Sequence, residues 1–157
     1  MAVKAIPEGY HSLTPYLAVE DAAKAIEFYR DAFGADEVLR MPGPGGTIAH
    51  AELQIGDSKL MLSDPFPQSN VKPPSERGGA TASIFMYVDD VDGIFEQAQK
   101  AGATVVSPLE NMFWGDRFGT VSDPFGHIWS IATHVEDLSE EEMAERSKAA
   151  MAEMGAT

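Results

Sequence analysis

His50 and Glu52 stand two residues apart in the stretch Ala49-His50-Ala51-Glu52-Leu53-Gln54-Ile55. The alternation predicts a strand with His50, Glu52 and Gln54 on one face and Ala49, Ala51, Leu53 and Ile55 on the other. An imidazole beside a carboxylate can move a proton, because the carboxylate fixes the tautomer and raises the basicity of the ring. The plainer reading is a histidine whose hydrogen bonds are satisfied within a pocket wall. A second concentration of reactive and aromatic groups lies between Trp114 and His134: Trp114, Asp116, Arg117, Phe118, Asp123, Phe125, His127, Trp129 and His134. Asp123-Pro124-Phe125-Gly126 is turn chemistry, so this stretch reads as two strands around a tight bend. Trp129 and Ile131 are expected in the core. His127, beside the bend, is expected to be exposed, and His134 shares a face with Ser130 and Ala132. Phe113, Trp114 and Phe118 supply stacking area for a planar ligand. Arg117 could pair with a ligand carboxylate or phosphate, or with a neighbouring protein carboxylate. Phe66, in the middle of the chain, is a further apolar candidate for the pocket wall. His11 carries no assigned role.

The elements that position these groups repeat. Tyr16-Leu17-Ala18-Val19-Glu20-Asp21 leads into an amphipathic helix with Ala22, Ile26, Tyr29 and Phe33 on one face, ended by Gly34. Phe85-Met86-Tyr87-Val88-Asp89-Asp90 leads into a second, with Val91, Ile94, Phe95 and Ala98 inward, ended by Gly102. Each Asp is placed to cap the first free N–H groups, and each Gly to take a left-handed C-cap. An extended segment follows each helix. A hairpin comes next, turning at Gly56-Asp57-Ser58 in the first copy and at Asp123–Gly126 in the second. The pattern predicts two tandem βαβββ modules in a single α+β domain spanning 1–157: module one over about 10–63 and module two over about 81–134. A Pro-rich linker at 64–80 joins them. Ser139-Glu140-Glu141-Glu142 is a capping box. It opens an acidic C-terminal helix over about 139–154, whose narrow stripe of Met143, Ala150 and Met154 suits packing or a dimer edge.

Composition narrows the partners. The chain has 157 residues, 25 acidic against 11 basic, and a formal net charge of -14. Nucleic acid and anionic membrane both require a basic face, so neither is expected as a partner. Cysteine is absent, which removes disulfides, thiol nucleophiles and thiolate-bound metals. Residues 1–9 hold no apolar run suited to a secretory signal, and no segment suits a bilayer span; the expected location is the cytoplasm.

Trp114-Gly115-Asp116-Arg117, Asp123-Pro124-Phe125-Gly126-His127 and Trp129-Ser130-Ile131-Ala132-Thr133-His134 together resemble the PhnB-like branch of the vicinal oxygen chelate superfamily. So do Pro15-Tyr16-Leu17, Phe28-Tyr29 and His50-Ala51-Glu52-Leu53. The superfamily includes glyoxalase I, extradiol dioxygenases, fosfomycin-resistance enzymes and bleomycin-binding proteins. The resemblance implies a cupped mixed sheet around a small-molecule cavity, and a homodimer, sometimes with modules exchanged between chains. In the enzymes of the superfamily, four strand positions hold one divalent metal ion, a Lewis acid that stabilises oxyanion charge. Carried over one at a time, these positions fall on Thr14 and Ser83, seven residues before each capping Asp. The last-strand carboxylate falls on Ser130, and its first-module counterpart on Met61. Hydroxyls and a thioether do not hold a hard divalent ion. The expectation is therefore a protein that binds a small molecule, an antibiotic or a metabolite, without a metal cofactor. His50, Glu52, Phe66, Phe113, Trp114, Arg117 and Phe118 are its expected wall. The alternative is an enzyme: a lyase, isomerase or dioxygenase using one divalent metal ion, with His50, Glu52 and His134 as a conceivable ligand set, or a metal-free acid–base catalyst built on His50 and Glu52.

Overall fold

The computed structural model describes residues 2–155; Met1, Ala156 and Thr157 lie outside the description. The first module runs β1 (Tyr16–Ala18), α1 (Ala22–Phe33), β2 (Asp36–Pro42), β3 (Ile48–Ile55) and β4 (Ser58–Ser63). The second runs β5 (Ser83–Tyr87), α2 (Val91–Ala101), β6 (Thr104–Asn111), β7 (Asp116–Ser122) and β8 (Ile128–His134), and α3 (Glu140–Gly155) ends the chain. Each module folds into one four-stranded mixed sheet, in the orders β1-β4-β3-β2 and β5-β8-β7-β6. The strand before each helix pairs in parallel with the last strand of its module, and the other pairs are antiparallel. The expected α+β architecture of two βαβββ modules is thus present.

The caps behave as their residue types dictate. Asp21 accepts a hydrogen bond from the Lys24 N–H and Asp90 from the Gly93 N–H, while Gly34 closes α1 in the left-handed region with φ 66°. Asp21 itself adopts φ 62°, a conformation that an Asp tolerates better than most side chains. Each helix start is also tied to its own module's last strand, by different chemistry in the two copies. Buried Asp64 accepts from the N–H groups of Ala22 and Ile48 at 3.0 and 2.7 Å. At the matching place Thr133 accepts from the Val91 N–H and donates to the Val88 carbonyl. In the capping box of α3, Ser139 and Glu142 exchange hydrogen bonds reciprocally. None of the residues of α3 is buried, and its Arg146 pairs with Glu136 at 2.6 Å.

The two modules share one apolar core. Leu17, Ala51, Leu53, Leu60 and Leu62 from the first sheet join Val121, Trp129 and Ile131 from the second, with α1 and α2 packed between them. Trp129 is 1% exposed, and its ring lies 4.6 Å from Phe33 and 5.3 Å from Tyr29, centroid to centroid. The pairing is fixed by one carboxylate. Asp123 is 4% exposed, and one of its oxygens accepts from the Tyr29 hydroxyl at 2.6 Å and from Trp129 Nε1 at 3.0 Å. Its other oxygen accepts from the backbone N–H groups of Phe125 and His127. Burial first, and the Asp123 charge second, hold the Tyr29 phenol well above its ordinary pKa. A buried carboxylate with four donors is stable only while the donors stay in place, and their loss leaves each group unsatisfied. Asp123→Ala is expected to cost about 3 kcal/mol or more and Tyr29→Phe about 1–2 kcal/mol, read as the shift in urea midpoint at constant slope.

Candidate functional site

Helix packing buries one face of each sheet, so the opposite faces are the ones left to meet a ligand. On the first sheet that face carries Tyr16, Met61, His50, Glu52, Leu39 and Met41, as their register across the strands requires. His50 and Glu52 do point away from the helices, while Ala51 and Leu53 are fully buried beneath. The two side chains form a closed network. His50 Nε2 lies 3.0 Å from Glu52 Oε1, Tyr16 Oη lies 2.9 Å from His50 Nδ1, and the Tyr10 hydroxyl donates to the second Glu52 oxygen. With Nε2–H given to the carboxylate, Nδ1 accepts from the Tyr16 O–H. Both ring nitrogens of His50 are thus engaged by neighbouring side chains.

The second sheet presents a different surface. Phe85 and Tyr87 on β5, with Ser130, Ala132 and His134 on β8 and Phe118 and Asp116 on β7, share its open face. Because Ser130 and Ala132 are small, the rings of Phe85 and Phe118 meet across β8, stacked at 5.6 Å with 23° between planes. Tyr87 lies 5.0 Å from Phe85, Trp114 stands edge-on to Phe118 at 5.5 Å, and Phe113 edge-on to Trp114. The result is a continuous aromatic panel. Phe85 and Tyr87 remain 48% and 61% exposed, an unusual state for rings that are not waiting for a partner.

One end of the panel is pinned by Asp116, 2% exposed. Tyr87 Oη and Trp114 Nε1 donate to one of its oxygens at 2.8 and 2.9 Å, and His134 Nδ1 to the other at 2.8 Å. Asp137 meets His134 Nε2 at 2.9 Å. Burial alone would raise the Asp116 pKa, but the bonds from His134, Tyr87 and Trp114 outweigh it and hold the carboxyl below its ordinary range. The hydrogen bond to Asp116, followed by that to Asp137, raises the His134 pKa above its ordinary value.

Several sequence expectations are placed differently. Arg117 does not reach the panel: it stands on the helix side of β7 and forms a two-pronged ion pair with Asp92 of α2, both contacts at 2.8 Å. Neighbours on a strand point to opposite faces, so Arg117 and Phe118 cannot share one wall. Phe66 lies in the linker with no ring contact to the panel among the described residues, and its carbonyl accepts from Lys72 Nζ. His127 is not simply exposed: it is half-buried, and its Nε2 donates to the Ala18 carbonyl at 2.9 Å, bridging the modules. Phe85, Tyr87, Tyr10 and Tyr16 escaped the sequence reading. The alternation of Phe85 and Tyr87 with Ile84 and Met86 was the available signal.

The four positions that the resemblance assigns to metal ligands carry three hydroxyls and one thioether, on Thr14, Ser83, Ser130 and Met61. Ser130 is 8% exposed, between its register partners Phe85 and Thr120 and with Thr120 Oγ1 at 3.4 Å, while Met61 lies between Tyr16 and Glu52. Thr14 and Ser83 offer only hydroxyls. These donors do not fit a divalent ion, and among the described residues no three His, Asp or Glu side chains are grouped to hold one.

Residues 10–131 match the family model of the Glyoxalase/Bleomycin resistance protein/Dioxygenase superfamily. The chain belongs to that superfamily. Among curated relatives, the uncharacterised protein Mb0911c of Mycobacterium bovis is 45% identical over 147 residues, covering 92% of this chain and 94% of its own. Among solved structures, TioX from Micromonospora sp. ML1 aligns with 32% identity and a TM-score of 0.64, covering 80% of this chain and 99% of that one. TnmS3 of Streptomyces sp. CB03234, an antibiotic-binding protein, aligns with 28% identity and a TM-score of 0.62, covering 84% and 99%.

The Asp116–His134 pair fixes a pH dependence. The stability from charged His134 is fully present below its unfolded pKa and is lost as pH rises through the raised folded value. That from Asp116 is present above the ordinary carboxylate range and is lost as pH falls through its lowered value. Thermal midpoints are therefore expected to decline as pH rises from about 6.5. His134→Gln is expected to flatten that limb in calorimetry, and an unchanged limb in the variant would exclude His134 as its source.

Proposed function

We propose that this protein is a PhnB-like member of its superfamily that binds a small ring-bearing molecule, an antibiotic or a metabolite, without a metal ion. The ligand stacks on the panel of Phe113, Trp114, Phe118, Phe85 and Tyr87. The observation that carries this reading is the Phe85–Phe118 stack across β8, with Phe85 opposite Ser130 and Phe118 opposite Ala132. Phe85 neighbours Ser130, the strand position to which the resemblance assigns the metal-binding carboxylate of the superfamily's enzymes. Flat, half-exposed rings give large contact area at little entropic cost, since each has two side-chain torsions to fix. The structural relative TnmS3 binds an antibiotic, and that supports the same class of ligand here. The closed Tyr10–Glu52–His50–Tyr16 network supports a wall that orients a ligand more than a base that attacks one.

The site works as a homodimer in the cytoplasm, with a second copy closing over the open faces. Tyr16, Leu39 and Met41 on one sheet and Phe85 and Tyr87 on the other are apolar and at least two-fifths exposed. A face of that composition gains from being covered. Light scattering at micromolar concentration should give a mass near twice 16.9 kDa; a monomer would contradict the closed site.

Ligand binding is tested by titrating tryptophan fluorescence with a set of ring-bearing antibiotics and aromatic metabolites. A saturable change, insensitive to EDTA, is expected from a member of the set. Phe118→Ala should weaken it by about 2 kcal/mol, roughly thirtyfold. Binding that EDTA abolishes, or that Phe118→Ala leaves intact, would overturn the reading.

A further inference from the structure

We propose that the cleft between β1 and β5, which adjoins the aromatic panel at Phe85, is a second binding site, for a small organic anion: a carboxylate on an apolar body. β1 and β5 are both outer strands, so each leaves one edge without a ladder partner. Between them, under the linker, lies a cleft of about 500 Å³, within the range that small-molecule sites occupy. Its walls are apolar at Val71, Pro74 and Ile84, with the hydroxyls of Thr81 and Ser83 among them.

Charge makes this cleft different from the rest of the molecule. The chain carries 25 acidic residues, yet no Asp or Glu lines the cleft, whereas Lys72 and Arg77 do. Arg30, Arg40, Arg117 and Arg146 each lie within ion-pair distance of a carboxylate. Arg77 has no such partner among the described residues. A guanidinium left unpaired in so acidic a protein is available to an incoming carboxylate, which its planar fork can bind through two parallel hydrogen bonds. Lys72 adds a second positive charge, steadied at 3.1 Å by the Phe66 carbonyl. His127, locked to the Ala18 carbonyl, fixes the wall opposite the linker. The anion's tail lies on Val71 and Ile84, and its head meets Arg77.

Octanoate is the probe and octylamine its charge-reversed control. Calorimetric titration should show saturable octanoate binding that weakens as sodium chloride is raised, and none for octylamine. Arg77→Gln, an exposed side chain whose loss leaves no group unpaired, should weaken octanoate by tenfold or more with an unchanged circular dichroism spectrum. Amide shifts on titration should centre on Ala82, Ile84 and His127. Phe113→Ala, at the end of the panel away from Phe85, should bind octanoate as the wild type does, which distinguishes this cleft from the panel. Equal binding in Arg77→Gln, binding of octylamine, shifts centred on Phe118 and Tyr87, or no saturable octanoate binding would each overturn the proposal.

Discussion

The Asp123 carboxylate organises the molecule. It holds its own turn through two backbone N–H groups and reaches across to Tyr29 of the other module, with Trp129 completing the set. Because those donors come from both modules, the helices and one face of each sheet merge into a single core. A small βαβββ unit alone would bury too little apolar surface to be stable. Joining two of them along the helix side solves that problem and commits the remaining faces to solvent or to a partner. The location of the candidate site is therefore a consequence of how the core closes.

Within this shared frame the two copies have diverged. The helix start is tied by a carboxylate at Asp64 in one and by a hydroxyl at Thr133 in the other. The open face of the first sheet is a hydrogen-bonded network around His50 and Glu52, and that of the second is a field of rings. The positions that the resemblance assigns to metal ligands carry Thr14, Met61, Ser83 and Ser130. Small side chains at Ser130 and Ala132 are what allow Phe85 and Phe118 to touch.

Much of this was legible in the sequence because it is local. Asp21, Gly34, Asp90 and Gly102 mark helix ends through hydrogen bonds made within a few residues, and the alternation at 49–55 assigns His50 and Glu52 to their face. What stayed hidden depends on pairing across the chain. Nothing near Asp123 in sequence points to Tyr29, and the stack of Phe85 on Phe118 exists only once β8 lies between their strands. Strand alternation sets Arg117 opposite Phe118, where it takes the second of its two expected partners, a protein carboxylate, at Asp92. His127 was a different case: its partner, the Ala18 carbonyl, belongs to the other module and leaves no trace in local pattern.

Native mass spectrometry of the protein purified without chelator tests the central claim most directly, because it weighs the assembly with whatever it holds. The account predicts paired chains carrying an organic molecule and no stoichiometric metal. One divalent ion per chain, of zinc, manganese, nickel or iron, would contradict it.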